Sequence, residues 1–246
     1  MNKDFSMYRF SDAFSAAIIS ENLRGYTALI PDIKCVSPKE GELLRGRDPV
    51  EIAKQLVRFG APVLSVVTER EHFGGGPELL RAIVESAGVP VLRKDFINNM
   101  DILEETAVLG ATAVLLICAI TDEKILAALY EKALGLGLEP IVEVRTADEM
   151  RFAGQLGARL IGVNNRDIIT LELDDGGPER TASLAAGAPE GALLVSESGI
   201  SSPEDVKLAV SAGAHAVLVG TALWLADDME ALYKSLRIER ELIQLK

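Results

Sequence analysis

The stretch PEDVKLAVSAGAHAVLVGT at residues 203–221 holds the unit on which the fold reading rests. Pro203–Ala212 has helical periodicity, with proline at the first helical position, where its missing N–H costs no hydrogen bond. Gly213 follows, and a glycine just past a helix end takes the left-handed conformation without a Cβ penalty. Ala216–Val219 is then a short continuous apolar run, as expected of a parallel strand covered on both faces. Gly220-Thr221 closes the unit.

Working outward, the same glycine junction recurs at Gly60-Ala61, Gly88-Val89, Gly110-Ala111, Gly137-Leu138, Gly157-Ala158 and Gly191-Ala192. The runs after the junctions are Pro62–Val67, Val89–Leu92, Ala113–Ile117, Pro140–Val144, Leu160–Val163 and Leu193–Ser196, and an eighth run, Ala28–Ile33, precedes them all. Eight strands separated by seven helices, with a last helix near Met229–Leu245, predict one α/β domain over residues 1–246, a (β/α)8 barrel. An open doubly wound sheet is the rival. Asp12–Asn22 is expected to form a short extra helix before the first strand.

Composition narrows the function classes. Apolar residues make up 48% and charged residues 25% of the 246, which is ordinary for a globular protein. A net charge of −12 argues against general nucleic-acid binding and against an anionic membrane surface. It leaves room for a small anion in a locally basic pocket. No apolar run approaches a bilayer span, and no basic start with an apolar core marks a signal peptide, so a cytoplasmic protein is expected. Two cysteines, Cys35 and Cys118, and two histidines, His72 and His215, make neither a disulfide framework nor a Cys/His zinc site. Either a monomer or a homodimer is compatible with the sequence.

In a barrel the chemistry sits at the C-terminal ends of the strands. With a strand period of two, Asp32 and Lys34 share a face and Ile33 points toward the helices. If that face looks into the barrel mouth, Asp32, Lys34, Lys94, Glu143, Asn164 and Glu197 converge there from different strands. Opposite charges half-buried together shift one another's proton affinities, which is how general acids and bases arise. Ser198-Gly199 and Gly220-Thr221 place small residues after the last two strands, where barrels commonly hold phosphate. Gly74-Gly75-Gly76 reads as a flexible loop over the active face, His72 as a loop side chain, and His215 as structural. Trp224 reads as outer packing.

These strand ends, taken in order, resemble the indole-3-glycerol phosphate synthase family. The resemblance rests on Lys34-x-x-Ser37-Pro38, Thr68-Glu69 through Phe73, Lys94-Asp95-Phe96, Glu143-Val144, Asn164-Asn-Arg166-Asp167, Glu197-Ser198-Gly199 and Gly220-Thr221. It implies conversion of 1-(2-carboxyphenylamino)-1-deoxyribulose 5-phosphate to indole-3-glycerol phosphate with loss of carbon dioxide and water, without cofactor. By the same resemblance, Lys94 is the general acid at the ketone, Glu143 the base of the later dehydration, and Lys34 a support for proton transfer and the phosphate end. Asn164, Arg166 and Glu197 shape the pocket, and Ser37, Phe73 and Phe96 line it.

Two departures stand out. Asp32 replaces the glutamate usual in the family, drawing its carboxylate back by about 1.5 Å at most, and misplacement on that scale can cost on the order of a hundredfold in rate. Arg145 stands where a small polar residue is usual, two residues after Glu143, where a cation is expected to weaken that base. The short segment before strand one is expected to cover less of the aromatic end. These departures leave two alternatives open: a diverged relative acting on a similar sugar phosphate (an isomerase or an indole-releasing lyase), or a phosphate-binding barrel without catalysis.

Overall fold

A computed structural model describes residues 12–240. Its centre is a closed parallel barrel of eight strands. They are β1 (Ala28–Ile33), β2 (Leu64–Val67), β3 (Val91–Lys94), β4 (Ala113–Ile117), β5 (Glu139–Val144), β6 (Leu160–Asn164), β7 (Leu193–Glu197) and β8 (Ala216–Val219). Strand β1 pairs on both sides, Asp32 with Ser65 of β2 and Ala28 with Ala216 of β8, so the sheet has no open edge and the doubly wound alternative fails. The seven expected helices lie between the strands: α2 (Pro49–Phe59), α3 (Pro77–Ala87), α4 (Met100–Val108), α5 (Glu123–Gly135), α6 (Ala147–Gln155), α7 (Glu179–Leu184) and α8 (Pro203–Ser211). Around them are α1 (Ala13–Leu23), the short α9 (Thr221–Leu225) and α10 (Met229–Leu236).

Local chemistry sets these boundaries. Asp48 accepts a hydrogen bond from Val50 N–H at the start of α2, Pro49 follows it, and Gly60 ends the helix with φ at +109°. Thr146 with Glu149, and Ser202 with Asp205, form reciprocal caps at the starts of α6 and α8. Strand alternation then sorts the side chains. Ala28, Ile30, Leu92, Leu115, Ile141, Leu160, Val195 and Leu218 fill the barrel interior, whereas Leu29, Ile33, Val66, Val114, Val142 and Val217 pack outward under the helices.

Two expectations about the ends of the fold need revision. Helix α1 covers none of the active face. Phe14 and Ile18, fully buried, plug the opposite mouth among Ala28, Ala113, Leu193 and Ala216. There Glu139, the first residue of β5, accepts hydrogen bonds from the backbone N–H groups of Phe14 (2.6 Å) and Ser15 (3.1 Å), taking up donors that a helix start leaves free. Helix α10 stops at Leu236, and Glu239 pairs with Tyr26 in an antiparallel bridge; positions 241–245 of the expected helix lie outside the described residues. Trp224 is buried in the layer between barrel and helices, the outer packing expected of it, and its indole N–H donates to the Asp32 carbonyl at 2.9 Å, which braces β1. Among the described residues no helix is long and apolar enough to cross a membrane.

Candidate active site

The C-terminal strand ends bring both signs of charge together in a largely buried space. Lys94, the last residue of β3, and Glu143 of β5 point inward and approach to 3.9 Å, with side chains 12% and 3% exposed. Asp32 of β1 is buried and accepts a hydrogen bond from Ser65 of β2 at 2.6 Å. Glu197, the last residue of β7, is fully buried and neither carboxylate oxygen has a partner. Its side chain lies over β6 at Gly162, where any Cβ would stand 1.9 Å from Glu197 Oε1. Asn164 of β6 accepts the Arg166 N–H at 3.0 Å and points its amide nitrogen at Glu172, 3.5 Å away.

These groups shift one another. Burial works against a charge on Lys94, but Glu143, Glu172, Glu197 and Asp32 outweigh it and hold the amine firmly as an ammonium, above its ordinary range. Burial raises the Glu143 carboxyl, with Lys94 and Asn164 opposing. Burial and the neighbouring Glu143 push Glu197 up to about 8. Burial likewise raises Asp32, against Lys94 and Lys34. Glu172 is also buried, yet Lys94, Lys34 and the Ser198 hydroxyl hold it below the usual carboxylate range. The site therefore keeps a cation in place while offering carboxylates of graded proton affinity.

Two cavities meet at this cluster. One is lined by Phe73, Phe96, Val67, Leu115, Ile117 and Ile168, with the Phe73 and Phe96 rings edge-to-face at 6.4 Å between centroids. The other, of about 230 Å³, is lined by Arg166, Ser198, Gly199, Ser201, Gly220 and Thr221. Asp32, Lys34 and Glu172 line both. Ser198 and Gly199 both have left-handed backbones, with φ of +64° and +69°. A Cβ on Gly199 would stand 2.2 Å from the Gly176 carbonyl, so that loop needs glycine to pass the β6 loop.

Most expected residues gather here. Asp32, Lys34, Lys94, Phe73, Phe96, Ser198, Gly199, Gly220 and Thr221 line the cavities, while Glu143, Asn164 and Glu197 are buried at the strand ends. Arg166 faces the second cavity. Ser37 lines neither. It is buried in a small hairpin that follows β1, where its hydroxyl accepts the Glu40 N–H at 3.4 Å. Arg145 does not act on Glu143. Like Lys34 it lies one residue past its strand, but its guanidinium is drawn to Asp167 (3.5 Å), Asp174 (3.9 Å) and the Arg166 carbonyl (3.2 Å).

The Gly74-Gly75-Gly76 loop is tied rather than loose: Gly75 N–H donates to the Glu69 carbonyl and Val36 N–H to the Phe73 carbonyl. Glu69 in turn accepts backbone N–H groups from Glu71, His72 and Phe73, which sets the Phe73 ring in place. His72 stands beside Glu69 in this loop. His215 accepts the Leu194 N–H, and burial lowers its pKa to about 4, in keeping with a structural role. Glu172 is the residue that strand spacing missed. It lies in an irregular segment after β6, where no period indicates which side chains turn inward. Its one sequence signal is position, five residues past Asp167.

Comparison with known proteins agrees with this geometry. The family model described as indole-3-glycerol phosphate synthase matches residues 2–236. A protein of that name from Pyrococcus abyssi is 44% identical over 207 residues, 84% of this chain and 90% of the relative. Another of the same name, from Carboxydothermus hydrogenoformans, is 39% identical over 221 residues, 90% of this chain and 83% of the relative. Among solved structures, orotidine 5′-phosphate decarboxylase from Pyrococcus horikoshii superposes with a TM-score of 0.62 at 17% identity, covering 84% of this chain and 97% of that one, which shows a shared barrel fold. The chain belongs to the indole-3-glycerol phosphate synthase family.

Proposed function

We propose that the chain closes the indole ring of 1-(2-carboxyphenylamino)-1-deoxyribulose 5-phosphate, releasing carbon dioxide and water, as an indole-3-glycerol phosphate synthase. The observation that carries this reading is the meeting of an aromatic-lined cavity and a small polar cavity at two lysines and a set of buried carboxylates. The aromatic ring of the substrate belongs between Phe73 and Phe96. The phosphate belongs against Ser198-Gly199 and Gly220-Thr221, near Lys34 and Arg166. The ketone then lies at the junction, beside Lys94.

In the first step the ring carbon bearing the carboxylate attacks the ketone carbon, and negative charge develops on oxygen. Lys94 stabilises that charge, and a preorganised ammonium in a water-poor site does so far better than one in bulk water. Because carboxylates hold its proton tightly, polarisation precedes transfer; the proton moves once the oxygen has become basic. Loss of carbon dioxide restores the aromatic ring. In the second step the hydroxyl leaves as water with a proton supplied from the Lys34 side, while Glu143 removes the proton that completes the indole. Its raised proton affinity suits it to that task. Glu197 and Asn164 hold the pocket's shape beneath the reacting atoms.

The test is the rise of indole fluorescence when purified protein meets this substrate. Turnover is expected, and Lys94→Ala is expected to abolish it. A folded wild-type protein without turnover, or a fully active Lys94→Ala variant, contradicts the assignment.

A further inference from the structure

We infer that Glu172 is a positioning residue for Lys34, the second of two lysine–carboxylate pairs that the site requires. The inference rests on the proposed role of Lys34 in the ring closure. Lys94 has Glu143 at 3.9 Å. Lys34 has Glu172 at 4.0 Å, with side chains 8% and 11% exposed, and among the described residues this is its only ion pair within that distance. The Lys34 ammonium also sits 5.8 Å from the centre of the Phe73 ring, so it bridges the aromatic cavity and the polar one. A long flexible side chain at such a junction needs a fixed counter-charge to hold it there.

Glu172 is itself held with unusual firmness. Its Oε1 accepts the Ser198 hydroxyl at 2.8 Å and faces the Asn164 amide at 3.5 Å, leaving Oε2 toward Lys34. Its backbone and that of Leu171 are consecutive left-handed residues, φ +59° and +54°, neither of them glycine. Backbone bonds from Leu171 N–H to Ile168 and from Glu172 N–H to Asp167, 2.9 and 2.8 Å, lock that turn. Strained backbone of this kind persists where the surroundings over-determine it, and it clusters at functional sites. Here it delivers a buried, ionised carboxylate from a loop to the junction of two cavities, where the hydroxylated chain joining ring and phosphate must lie. Glu172 lines both cavities and also adds to the field that keeps Lys94 charged, but among the described residues its only ion pair within 4.0 Å is with Lys34, so its positioning effect runs through the place it gives that lysine.

Glu172→Gln separates this role from a structural one. It keeps size and an acceptor for Ser198 but removes the charge facing Lys34. We expect kcat to fall roughly ten- to a hundredfold, a larger change than that in KM, with the protein still folded at the assay temperature. In a Lys34→Ala background the same change is expected to have no further effect, because the two residues act as a unit. Glu172→Asp, which keeps the charge, is expected to retain more kcat than Glu172→Gln, and this order still reports if Gln disturbs folding. Wild-type kcat in Glu172→Gln, multiplying losses in the double variant, or the reverse order of Asp and Gln each overturn the inference. If Lys34→Ala lowers turnover while Glu172→Gln is silent, the inference alone fails. If Lys34→Ala keeps full turnover, the role of Lys34 fails with it.

Discussion

Single atoms decide much of this site. Gly162 has no side chain because Glu197 Oε1 lies where its Cβ would be. Gly162→Ala therefore displaces a flexible carboxylate rather than backbone, and we expect kcat/KM to fall by roughly ten- to a hundredfold with little loss of unfolding midpoint. An unfolding midpoint that drops in step with activity contradicts that separation. Glu197 also titrates out of its usual range, near 8 in the folded protein against 4.5 when unfolded. Its contribution to stability is then fully present below pH 4.5 and is lost as pH rises through about 8. Thermal unfolding at pH 6 and pH 9 checks the sign: the wild type should lose midpoint over this range, and Glu197→Gln, which mimics the protonated form, should lose less. A steeper loss in the variant refutes the buried, proton-holding carboxylate. Lys34, Lys94, Glu143 and Glu197 were legible in the sequence because strand alternation fixes which side chains turn inward. Glu172 was not, because an irregular loop carries no register.

At the scale of elements, the two mouths of the barrel do different work. Helix α1 was legible as a helix, but nothing in its pattern said which mouth it closes; the Glu139 carboxylate at the start of β5 decides that. Phe14→Ala leaves a cavity inside the closed mouth and should cost about 3–5 kcal/mol of stability while leaving KM near its wild-type value. A rise in KM with unchanged stability instead places α1 over the substrate. On the catalytic side, Arg145 pins the β6 loop through Asp167 and Asp174 rather than acting on Glu143. Arg145→Asn should lower the unfolding midpoint slightly and bring no gain in turnover. A large gain restores the sequence-based expectation that a cation there weakens the base. That expectation failed because side-chain partners past a strand end are not set by the period: Asp167 and Asp174 of the β6 loop draw the guanidinium to themselves.

For the whole molecule, seven glycine junctions between eight apolar runs were enough to read the closed barrel, because parallel strands buried on both faces leave continuous apolar runs and helix ends leave glycine. The β6–β7 connection was least legible: its long gap holds a 3-10 turn at Ile168–Thr170 and, in α7, a helix of only six residues. That segment supplies Glu172 and Ile168 to the cavities, so the part hardest to read is also part of the site. On the proposed function, one substrate spans two cavities joined at Lys34, Asp32 and Glu172, beside Lys94. The most direct test is a crystal structure with indole-3-glycerol phosphate bound. We predict the phosphate against Ser198-Gly199 and Gly220-Thr221, the indole between Phe73 and Phe96, and the Lys94 ammonium facing the carbon chain between them. A phosphate seated elsewhere on the barrel, or an indole turned away from Lys94 and Glu143, rules out ring closure at this junction.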